Sequence, residues 1–119
     1  MNPYGAVIRD HDRNPRNYGS LDAPDFRHED VNPFCGDRVR IELAVTDGVV
    51  EAARFRGDLC IIAKAASSLL TELITGMPLE EVARFPEQRL FAALDAEIAP
   101  ARRQCVQLPL HVLQGALTA

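Results

Sequence analysis

The feature that most constrains this chain is a change of hydrophobic period at Cys60. Before it, Val39, Ile41, Leu43 and Val45 alternate with Arg38, Arg40, Glu42 and Ala44, the pattern of a half-buried strand. Asp47-Gly48 follows as a hairpin turn, because both central positions favour positive φ. A second strand runs from Val49 to about Gly57, with Val50, Ala52, Arg54 and Arg56 expected on one face and Glu51, Ala53 and Phe55 on the other. After Cys60 the period lengthens. Ile61, Ile62, Ala65, Ala66, Leu69, Leu70, Leu73 and Ile74 recur at helical spacing, and Gly76 supplies the stop.

The flanks are read by their breakers. Residues 5–13 predict a short helix that must end before Asn14-Pro15, since a residue preceding proline is pushed out of the helical region. Residues 14–34, rich in Asn, Asp, Pro and Gly, read mostly as loop with room for one short edge strand. Pro78 opens another helix in PLEEVARF, with two acids near its positive end. Glu87 to Ala99 is expected to be helical, as are residues 101–117, interrupted or newly started at Pro109. A hairpin followed by helices predicts an α+β fold: a small antiparallel sheet of about three strands with helices packed on one face.

A chain of 119 residues supports one domain, 1–119, with a single modest core. The net charge of −4 gives no basic footprint for nucleic acid. No apolar run approaches the roughly 20 residues of a membrane span, and the N-terminus has no signal-peptide pattern, so cytoplasmic residence is the expectation. Three cysteines at long, unequal spacings do not form a secreted disulfide framework. Inert core thiols, a nucleophile and metal ligands all remain open.

Cys35, Cys60 and Cys105 each stand at the end of an expected element. Helix N-terminal amides stabilise thiolates, the form that binds metal or attacks sulfur. Gly36 allows close backbone approach to a ligand. In an extended segment Cys35 and Asp37 would share a face, so a thiolate and a carboxylate could meet one ion. Three thiolates and a carboxylate complete a tetrahedral zinc or iron site. Against this, an isolated cysteine is more often a small buried hydrophobe, and Asp37 alone reads as a solvated strand-start residue. His11, His28 and His111 are isolated and read as surface or capping residues. Ser67 and Ser68 are expected to bond back to carbonyls of their own helix.

These residues fall in an order that resembles the NifU/IscU/SufU family of iron–sulfur cluster assembly scaffolds. The likeness begins in H-D-R-N-P-R-N-Y-G-S-L-D from His11 and continues through N-P-F-C-G-D-R-V-R-I-E-L and D-G-V-V-E-A-A-R-F-R-G. It ends in C-I-I-A-K-A-A-S-S-L-L-T-E-L-I-T-G and R-R-Q-C, so that residues 10–117 are covered. The resemblance implies a scaffold or carrier, not a conventional enzyme, with ligands at Cys35, Asp37, Cys60 and Cys105. Iron and persulfide sulfur from a cysteine desulfurase would be assembled there into a transient [2Fe–2S] cluster, which then passes to apo acceptor proteins. Either Cys35 or Cys105 would be the first persulfide acceptor, and Lys64 and Arg102 would steer anionic sulfur species.

Four departures bear on that implication. Leu59 replaces the glycine usual before the second cysteine, and Gln104 replaces the histidine usual beside the third. The chaperone-recognition segment L-P-P-V-K is represented only by Ile98-Ala99-Pro100-Ala101-Arg102, which argues against dependence on an Hsp70-type chaperone. The insertion carried by SufU proteins is absent. Gln104 nevertheless points toward the SufU branch, for which the resemblance implies a zinc-dependent sulfurtransferase with Zn²⁺ in the resting protein.

Overall fold

The computed structural model describes residues 5–33 and 36–118. Helix α1 (Gly5–Arg13) precedes strands β1 (Phe26–Val31), β2 (Arg38–Thr46) and β3 (Val49–Asp58). Helices α2 (Ile61–Ile74), α3 (Leu79–Ala83) and α4 (Glu87–Leu94) follow, and a 3₁₀ turn at Pro100–Arg102 leads into α5 (Arg103–Thr118). The sheet is antiparallel in the order β1-β2-β3, with the helices packed on one face, so the expected α+β class is the observed one.

Alternation decides which face is covered. Val39, Ile41 and Leu43 of β2 and Ala53 and Phe55 of β3 are fully buried against Leu70, Ile74, Val106 and Leu113 of the helices. Burying side chains of this size stabilises by about 1.5–3 kcal/mol each. One expectation fails here. Val45 pairs with Val50 and Ala44 with Ala52, so Glu51 is an extra residue and the strand carries a bulge. The bulge turns Val50 onto the core face beside Ala53 and Phe55, away from Ala52, Arg54 and Arg56.

The opposite face keeps its charges. Arg27, Glu42 and Arg54 lie in register across three strands, and Glu42 is buried among them. Its carboxylate accepts the Leu21 N–H at 2.7 Å and pairs with Arg40 at 3.1 Å. Strand β1, FRHEDV, is the edge strand for which the polar segment left room. Residues 17–19 close the far side of β3: the Phe55 N–H donates to Asn17 and the Gly19 N–H donates to Phe55.

Helix ends depart from the sequence pattern in three places. Helix α3 is a single turn, with Pro78 as its N-cap rather than its first residue. Helix α4 ends at Leu94, five residues early, because Asp95 turns left-handed (φ 49°, ψ 47°) and Ala99, preceding Pro100, is extended. Helix α5 runs unbroken through Pro109. Buried Val106, Leu108, Leu110, Val112 and Leu113 lie on both sides of the proline, and this packing outweighs the roughly 3 kcal/mol cost of proline in a helix interior. At Gly115 a Cβ would approach His28 to 3.1 Å, so glycine there lets α5 close onto β1.

A candidate metal centre where three elements meet

Two helix starts and one strand start converge at a single end of the sheet. Cys60 is the N-cap of α2, extended at φ −68° and ψ 168°, and its Sγ accepts the Ala63 N–H at 3.4 Å. Cys105 stands in the first turn of α5 and is 3% exposed. Asp37 immediately precedes β2 and is 5% exposed. Its Oδ1 accepts the Cys60 N–H at 2.9 Å, which fixes the carboxylate against the start of α2. Each of these side chains is aimed by a backbone that the hydrophobic pattern had already committed.

The donor atoms of Asp37, Cys60 and Cys105 all lie within 4.8 Å of one another, the group of this kind found among the described residues. Two sulfurs bound at about 2.3 Å to one tetrahedral zinc stand roughly 3.8 Å apart, so a small contraction brings the three onto one ion. Two soft sulfurs and one hard oxygen suit zinc or iron with sulfide. The donor set fits the group that the sequence led us to expect. Cys35 lies outside the described residues. The premise of an extended segment fails at its neighbour: Gly36 has φ 75° and donates to the Asn32 carbonyl, so the chain turns before β2 begins.

The Arg102 guanidinium hydrogen-bonds the side chains of both Cys105 and Cys60, and these contacts hold its proton more tightly than in a free arginine. Lys64, expected beside it, is instead turned toward Asp12 at 3.9 Å. Gln104 is exposed, and its Oε1 accepts from Asn32 Nδ2 at 3.2 Å, tying the start of α5 to the turn that delivers Asp37. Leu59 is half-buried beside the site.

The histidines divide three ways. His28 lies on β1 against α5 rather than in a loop, and His111 is exposed on α5 along a groove with Asp30, Asn32 and Gln107. His11 is buried, not a surface residue, and its Nδ1 lies 2.8 Å from Ser68 Oγ. Burial first, and the Arg16 charge second, hold its pKa below the usual histidine value, partly offset by Glu72 and Asp10. Ser67 bonds back to Ala63 as expected, whereas Ser68 also accepts the Arg16 N–H at 2.8 Å and so serves the N-terminal segment instead. No local signal in the sequence reports that pairing; only the partner 57 positions away does.

The family model described as NifU-like N terminal domain matches residues 3–119. The chain is 34% identical to the iron–sulfur cluster assembly scaffold protein IscU of Haemophilus influenzae over 118 residues, 96% of this chain and 92% of that protein. It is 42% identical to the zinc-dependent sulfurtransferase SufU of Bacillus subtilis over 78 residues, 65% of this chain, and there it spans about half (52%) of the relative's length. The crystal structure of the N-terminal part of a nitrogen-fixing NifU-like protein from Brucella abortus shares the fold at a TM-score of 0.78, 20% identity and coverage of 98% and 92% of the two chains. Among the described residues no helix is long and apolar enough to cross a membrane.

Proposed function

The chain belongs to the NifU/IscU/SufU family of iron–sulfur cluster assembly scaffold proteins, and we propose that it builds a labile [2Fe–2S] cluster from iron and desulfurase-derived sulfur at Cys35, Asp37, Cys60 and Cys105. The observation that carries this reading is the convergence of Asp37, Cys60 and Cys105 from three separate elements within 4.8 Å. Residues 1–119 act as one unit around that centre. The sulfurs hold the cluster, which is cargo rather than a resident group. Asp37, a harder and more weakly held ligand toward iron, gives the cluster a position from which it can leave. Cys35 supplies the third sulfur, and sulfur arrives as persulfide on Cys35 or Cys105. Cysteine desulfurase and apo acceptor proteins in a reducing, cytoplasmic setting are the partners this chemistry requires.

Anaerobic incubation of the reduced protein with iron, cysteine and a desulfurase is expected to give a visible cluster that transfers to an apo-ferredoxin. Failure to form a cluster with every thiol reduced would contradict the reading. A second reading, a zinc-dependent sulfurtransferase, is favoured by Gln104 in place of a nitrogen ligand and by the 42% identity to SufU. Stoichiometric zinc in protein isolated without added metal, together with stimulated desulfurase turnover, would select it. Absence of stimulation by a cognate desulfurase would remove it.

A further inference from the structure

A cation already stands at the candidate centre. Arg102 is half-buried at the end of the 3₁₀ turn that leads into α5, one helical turn before Cys105, and its guanidinium donates to both Cys105 and Cys60. The two residues that Arg102 bridges are thus the two that supply sulfur to the three-donor cluster with Asp37. A planar fork with several N–H donors can hold two sulfurs at once, which a single ammonium point charge does poorly. Lys64, the chain's only lysine, is turned away toward Asp12 and does not share this position.

We propose that Arg102 is a displaceable counter-cation: it holds Cys60 and Cys105 together in the ion-free protein and must withdraw before both sulfurs can bind a divalent metal. The inference rests on the reading of Asp37, Cys60 and Cys105 as ligands and adds a positioning residue to it. A sulfur lone pair directed at a guanidinium N–H is not available to a metal, and a guanidinium left within hydrogen-bonding distance of a bound dication repels it. Arg102 therefore lowers the affinity of the centre while keeping its geometry assembled. That combination suits a site which must fill and empty, and a resident metal site would gain nothing from it. Proline at position 100 and the short 3₁₀ turn fix the backbone beneath Arg102, so withdrawal is a side-chain movement.

The test is titration of the reduced, metal-stripped full chain with Co²⁺ alone at one fixed pH, following sulfur-to-cobalt charge-transfer absorption. The wild type is expected to bind one equivalent. R102Q is expected to bind it about tenfold more tightly, the scale of one charge-assisted hydrogen bond. R102K, which retains the charge but loses the fork, is expected to fall between them, and it remains informative if R102Q folds poorly by circular dichroism. Equal affinities in all three proteins would overturn the counter-cation role while leaving the ligand assignment standing. Weaker binding by R102Q would also overturn it, since Arg102 would then be supporting the bound metal. No charge-transfer band in the wild type or either variant would remove the ligand assignment and the counter-cation together.

Discussion

Helix α2 carries two polar clusters, and they are built to opposite specifications. Midway along it, Ser68 joins His11 and the Arg16 N–H at 2.8 Å each, and Asn17 reaches Thr71 at 3.2 Å, so the N-terminal segment is sewn to a buried helix face. At its start, Cys60 meets Asp37, Cys105 and Arg102, a set of charged and polarizable groups drawn from three elements. Both clusters satisfy their polar atoms, as burial demands. The first is neutral and internal, so exchanging any partner leaves a buried group unpaired. The second contains groups that can trade a guanidinium for a metal without leaving the surface region. The position of a polar residue along a helix thus separates architecture from chemistry: the middle is fixed, and the end is exchangeable.

The sharpest way to separate the two clusters is to disable one and watch the other. Cys60→Ser keeps a side-chain oxygen able to cap α2 while removing a sulfur ligand. Zinc affinity is expected to fall by more than about 100-fold, since changes even outside the coordination shell cost about 10–100-fold, whereas stability shifts by less than about 1 kcal/mol. Competition against a chromophoric chelator and urea denaturation measure the two quantities. The mirror substitution is Ser68→Val, which strands the His11 imidazole and the Arg16 N–H. A loss of about 2–3 kcal/mol in urea is expected, with zinc affinity unchanged. If Ser68→Val weakens zinc as much as it weakens the fold, the clusters are not independent.

Asp37 is where the two specifications overlap, because its carboxylate serves both the metal group and the Cys60 N–H. Asp37→Ala is therefore expected to destabilise by about 1.5 kcal/mol, and also to slow cluster transfer to an apo acceptor. Unchanged transfer kinetics in this variant would reject the carboxylate as the releasing ligand. The smallest effect belongs to pH. The pKa of His11 in the folded chain lies below its ordinary 6.5, mainly through burial. The unfolded chain therefore takes up the proton first as the pH falls. The stability that neutral His11 contributes is present above about 6.5 and is lost progressively as the pH falls toward the lower folded-state pKa. A urea midpoint that declines between pH 7.5 and 5, and declines less in His11→Gln, is the expected result; identical slopes would refute it.

The difference between the clusters also explains what the sequence disclosed. The hairpin and α2 were legible because period 2 gives way to period 3.6 at Cys60, and the same boundary placed that cysteine at a helix start. Cys105 and Asp37 were placed by the boundaries of α5 and β2 in the same way. Edge strand β1 was barely legible, since FRHEDV buries little and has no apolar alternation to detect. The bulge at Glu51 was invisible, because one inserted residue changes facing without changing composition. The early end of α4 did have a signal in Pro100, which restricts Ala99. Ser68 was misjudged for a deeper reason: its hydrogen bonds span more than fifty positions, and a helix-local rule supplies only the nearest carbonyl. The bridging of two sulfurs by Arg102 lies beyond sequence reasoning for the same cause.

Zinc K-edge X-ray absorption on the stoichiometrically loaded, reduced protein tests the shared centre most directly. A first shell dominated by sulfur at about 2.3 Å with one oxygen near 2.0–2.2 Å is the predicted spectrum, and the short oxygen path should vanish in Asp37→Ala. A shell of nitrogen and oxygen alone, or zinc too loosely held to survive desalting, would contradict the convergence of these donors on one ion.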